Sequence, residues 1–159
     1  MYARLVSALL LLGAATACCG PSENALRKDF QEHRSALEAI VQLSNMDSKV
    51  VRIAPAFTRL ADDWSWPRSK NKWGLTENRW NRYRQLFKKA GIEDGISRED
   101  GSIFFLAEGC GLSISGRSSG YVYSEEKPSP LVKHLSDLRS KGTAYVHLEG
   151  NWYLFYERD

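Results

Sequence analysis

The chain has 159 residues, of which 43% are hydrophobic and 26% charged, with a formal net charge of +3 at neutral pH. These values suit one globular domain with its own core and exclude a disordered or low-complexity chain. A mild balance without clustered cations also excludes the strongly basic class that binds nucleic acid.

The first twenty residues say where the protein works. Met1-Tyr2-Ala3-Arg4 puts one positive charge before an apolar run from Leu5 to Leu12, and the small residues Gly13 to Ala17 follow. A bilayer span needs about 20 apolar residues, so this run is too short to be one and fits an export signal. The signal ends directly at Cys18.

Ala15-Thr16-Ala17-Cys18 resembles the lipobox of bacterial lipoproteins, although that family usually has Leu where this chain has Ala15. The resemblance implies cleavage after residue 17, lipidation of Cys18 and a membrane anchor, since each buried methylene contributes about 0.8 kcal/mol. Cys19 stands where the family places an aspartate for retention at the inner membrane. Its presence implies the outer membrane, with the protein facing the periplasm. The alternative is a plain secretory signal, because Ala15 and Ala17 also fit the A-x-A cleavage rule; the product would then be soluble in the periplasm or secreted. Either way, residues 1–17 form the signal. Residues 18–22 form a tether under the lipoprotein reading, and residues 23–159 a single domain.

Three cysteines are present. If Cys18 carries lipid, Cys19 and Cys110 remain in an oxidising compartment and can form a disulfide. The alternative leaves Cys19 a bystander and Cys110 a small packing residue.

Ser22 is an N-cap, and Leu26, Phe30, His33, Leu37 and Ile40 recur at three- and four-residue steps. This predicts one amphipathic helix over residues 23 to 45. A lone histidine on such a stripe reads as a satisfied, partly buried side chain. Val50, Val51 and Ile53 are β-branched, so residues 49 to 53 predict a short strand, with Leu60 fitting a short helix beyond it. Residues 57 to 75 form a loop that holds Trp64, Trp66 and Trp73 among Arg68, Lys70 and Lys72. Thr76, Glu77, the Leu75–Trp80 staple and Gly91 mark the two ends of a second helix.

From residue 92 the period becomes two. Asp100-Gly101 predicts a hairpin. Gly109-Cys110-Gly111 suggests a bulge or turn, and Gly116 to Gly120 the turn of a second hairpin. Ser129 and Pro130, followed by Leu131, Leu135 and Leu138, predict a third helix. Gly150-Asn151 predicts a last hairpin, with Leu148 facing Tyr153 and Val146 facing Phe155 on one side. On the other side His147 lies opposite Leu154 and Tyr145 opposite Tyr156. One side is core, and the aromatic second side needs cover from a helix or a partner. The sum is α+β: a mostly antiparallel sheet of four to six strands packed against about three helices.

No reaction motif stands out. His33, His134 and His147 are isolated, no nucleophile elbow is present, and no Cys or His spacing suggests a metal. The expectation is therefore not an enzyme, with no cofactor and no metal. It is an interaction module for a protein, glycan or small ligand, and Trp64, Trp66, Arg68 and Trp73 form its partner-binding surface, because Trp and Arg are enriched at hot spots. The alternative at those residues is that the tryptophans plug one end of the core. The alternative function is an immunity-type or inhibitor protein that neutralises an exported toxin or hydrolase.

Overall fold

A computed structural model describes residues 21–112, 115–138 and 141–158. The signal segment, Cys18 and Cys19 lie outside these residues. Among these residues the architecture is α+β, with two α-helices and one antiparallel sheet of seven strands. The strands exceed the expected four to six, and the α-helices fall short of three.

Helix α1 runs over Glu23–Met46, and the Ser22 hydroxyl accepts from the Ala25 N–H at 3.2 Å. Its stripe of Leu26, Phe30, Leu37 and Ile40 is buried. Helix α2 runs over Glu77–Ala90, capped by Thr76 and closed by Gly91 at φ 66°. The two helices are antiparallel. Tyr83 and Arg79, early in α2, reach Asp47 just past the end of α1, at 2.9 and 3.4 Å. Gly91 shares a cleft with Pro21 and Ala25 at the opposite end.

The strands are β1 (Val50–Ile53), β2 (Thr58–Leu60), β3 (Ile96–Glu99), β4 (Ser102–Leu112), β5 (Ser115–Tyr123), β6 (Gly142–Glu149) and β7 (Trp152–Arg158). Their order across the sheet is β2-β1-β3-β4-β5-β7-β6. Asp100 and Gly101 both take positive φ in the β3–β4 turn, as a two-residue hairpin requires. Ile96, Ile103, Phe105, Tyr121 and Leu154 face the helices and complete the main core. Val122, Tyr153 and Phe155 form a smaller cluster on the other face, with Phe104, Leu106, Leu131 and Tyr145 against it.

Five local expectations need correction. Leu60 belongs to strand β2, not to a helix. The glycines 109 and 111 lie on β4, and the register shift falls earlier, between Leu106 and Glu108. Residues 116 to 120 continue strand β5 rather than forming a turn.

The expected third helix is absent among the described residues. Residues 129 to 138 contribute only a single 3₁₀ turn, Leu135–Asp137. Tyr145 of edge strand β6 instead donates to the Pro130 carbonyl and accepts from the Val132 N–H. Covering an exposed strand edge outweighs the helical spacing of three leucines.

The last hairpin is also shifted by one residue. His147 pairs with Tyr153, Val146 with Leu154 and Tyr145 with Phe155, because a bulge intervenes between His147 and Glu149. A one-residue slip exchanges faces. Val146 and Leu154 therefore share the core side, and Tyr145 and Phe155 share the other.

Candidate binding surface

The connection from β2 to α2 is held by a small polar network. The Thr58 hydroxyl donates to the Trp73 carbonyl at 2.7 Å. Arg68 Nη2 donates to the Thr58 carbonyl at 2.6 Å and to its hydroxyl at 3.0 Å. Trp73 Nε1 donates to the Arg68 carbonyl at 3.0 Å. The Arg68 side chain is only 3% exposed, and Asp63 lies 3.4 Å from its Nη1. The Ser65 hydroxyl and N–H, with Arg68 adding to them, hold the Asp63 carboxyl below its ordinary range.

On this base the aromatic side chains stack outward. Trp80 is buried, and its Nε1 donates to the Ala54 carbonyl at 2.9 Å. Trp73 meets Trp80 edge to face at 4.6 Å between centroids. Trp66 lies over both, at 6.4 Å from Trp73 and 5.9 Å from Trp80, and Phe57 lies 6.3 Å from Trp66. Trp64 is outermost, with the Arg59 guanidinium 4.0 Å above its ring. Arg84 stacks on Trp80 at 4.1 Å and donates to the Pro55 carbonyl.

The four tryptophans therefore divide by depth. Trp73 and Trp80 pack into the core, whereas Trp66 is 39% and Trp64 73% exposed. Of the expected surface residues, Trp64 and Trp66 face solvent, Trp73 is half-buried and Arg68 lies beneath them. The sequence reading missed Phe57, Arg59, Arg84 and Met46. The large exposed apolar side chains among the described residues are Met46, Phe57, Trp64 and Trp66. All four lie on the chain between the end of α1 and the start of α2.

The charges around this patch are mostly positive. Lys70 pairs with Glu77 at 2.9 Å and Arg68 with Asp63. Arg59, Lys72 and Arg84 have no carboxylate partner among the described residues, and Asp62 is the acidic residue of the loop without a cationic one. An apolar centre with a cationic rim has the composition of a protein-binding hot spot. Three clefts elsewhere on the molecule are lined by other residues.

The histidines are occupied locally. His33 meets the Asp29 side chain at 3.0 Å, His147 the Gly150 carbonyl at 3.0 Å, and His134 lies 3.7 Å from Glu23. Among the described residues, no group of three or more His, Cys, Asp or Glu is placed to hold a metal ion. No helix among them is long and apolar enough to cross a membrane. Cys110 lies on β4 opposite Arg117. Its side chain and its expected partner Cys19 lie outside the described set. Compared with protein-family models, curated proteins and solved structures, the chain matches none.

Proposed function

We propose that the chain is an exported, lipid-anchored interaction module that presents the Phe57–Trp64–Trp66 surface to a protein partner with an acidic rim. Cys18 is the proposed lipid site, in the outer membrane facing the periplasm. The reading is a binding role rather than a catalytic one. The observation that supports it is the exposure of Phe57, Trp64 and Trp66 on one loop region, with Arg59 and Arg84, which have no carboxylate partner among the described residues, stacked on Trp64 and Trp80. Scattered exposed apolar residues are ordinary, but a contiguous aromatic patch on a fixed base marks an interaction site.

Geometry adds a direction to this reading. An α-helix rises about 1.5 Å per residue, so α1 spans about 36 Å. The proposed anchor precedes the first turn of α1, whereas Trp66 lies over Trp80, whose neighbours Arg79 and Tyr83 reach Asp47 at the helix's other end.

The experiment is photo-cross-linking in cells of the source organism, with fractionation of the product. A cross-linker in place of Trp64 should give a discrete protein adduct in the membrane fraction, and one in place of the exposed Glu32 should not. Adduct formation should fall sharply when Arg59→Glu reverses the rim charge. Equal yields from positions 64 and 32 would overturn the surface, and a fully soluble chain would overturn the anchor.

A further inference from the structure

The sheet face turned away from the helices carries a second feature. Six of the seven strands line one cleft of about 280 Å³ there. Strands β1 and β6 both contribute, although four strands separate them in the sheet. A flat sheet could not bring them together, so the sheet curls around the cleft.

The floor of the cleft is aromatic. Phe104 and Phe155 meet edge to face, with centroids 5.6 Å apart at 78°. Tyr145 lies beside them in the same cluster. Burial raises the Tyr145 hydroxyl pKa, and the charges of Glu157 and Glu99 raise it further, so both carboxylates act at this ring. Arg52 closes one side, where it donates to the Asp94 carbonyl at 2.8 Å and feels the charges of Asp94 and Glu99. Glu157 accepts from the Ser118 hydroxyl at 3.0 Å and has no ion-pair partner among the described residues.

Aromatic faces and an unbalanced carboxylate have one complement. Ring quadrupoles attract cations, and a carboxylate forms a charge-assisted hydrogen bond with an ammonium. An anion would meet Glu157, and a neutral alkyl group would leave it without a counter-charge. We propose that this cleft binds an alkylammonium group, seated against Phe104, Phe155 and Tyr145 with Glu157 as its counter-charge. The site is separate from the Trp64–Trp66 surface and does not depend on it.

The test is an NMR titration of the folded protein that follows backbone amides of Ser97, Phe104, Tyr145 and Glu157. The probes are n-butylammonium, 1-butanol and butyrate. Butylammonium should give saturable shifts at these amides and bind about tenfold or more tighter than butanol, with butyrate not binding. Glu157 is exposed, so Glu157→Gln should keep the melting temperature and weaken butylammonium at least about fivefold. Trp64→Ala, remote from the cleft, should leave the titration unchanged. Two further probes separate the sources of the amine. Tighter binding of a lysine-containing pentapeptide than of butylammonium would support the proposal with a polypeptide ligand. Tighter binding of glycerophosphoethanolamine would support it with a lipid headgroup. Equal binding of butanol, binding of butyrate, or no saturable shift with butylammonium would overturn it.

Discussion

Single residues carry more than one kind of work in this chain, and Glu23 is the clearest case. It stands in the first turn of α1, where a negative charge suits the helix dipole. Its carboxylate accepts from the Leu135 N–H at 2.9 Å and from Arg27 at 2.9 Å. Burial alone would raise its pKa, but these partners, with His134, hold it below the ordinary value of 4.5. A depressed folded-state pKa stabilises the fold above the unfolded value, and that stability disappears as pH falls through the folded one. Glu23→Gln should therefore lower stability by about 1 kcal/mol at about pH 6, with the gap from wild type narrowing as pH falls below 4.5. Thermal melts across that range check it, and a gap that widens on acidification would contradict the assignment. Arg68 shows the limit of reading residues by type. An arginine among tryptophans has hot-spot composition, but its burial follows from pairing with Thr58 and Asp63, which no local pattern reveals.

At the scale of elements, the sequence was legible where local chemistry decides. Ser22, Thr76 and Gly91 end the helices as their side chains or conformations dictate, and Asp100-Gly101 turns as such pairs do. It was not legible where a distant strand decides. The 129–138 segment has helical spacing, yet it spends its hydrogen bonds on β6. The shift at Leu148 likewise arises in the pairing with β7, not in the turn residues. The bulge after Leu106 makes a sharper demand. Gly120 lies opposite Leu106, and a Cβ there would sit 2.0 Å from the Phe105 carbonyl oxygen. Backbone cannot yield as a side-chain tip can, so Gly120→Ala should cost about 3 kcal/mol or more. Chemical denaturation measures this, and a loss below about 1 kcal/mol would show that the two strands separate easily there. Gly101→Ala is a useful contrast, since its Cβ meets no atom and only positive φ opposes it.

Over the whole molecule, the helices cover one sheet face and leave an aromatic patch exposed, with a curled cleft on the other face. Neither site was fully readable. Trp64 and Trp66 were visible as composition, but their separation from Trp73 and Trp80 follows from packing between residues far apart in the chain. The cleft was invisible, because its six strands converge only when the sheet curls.

The tryptophan cluster has an inner pair packed into the core and an outer, solvent-facing part. Thermal unfolding of Trp64→Ala beside Trp80→Ala tests it without knowledge of any partner. Trp80→Ala should cost about 3–5 kcal/mol, as large aromatic deletions in cores do, and Trp64→Ala should stay within about 0.5 kcal/mol of wild type. A loss of several kcal/mol from Trp64→Ala would return the outer tryptophan to the core.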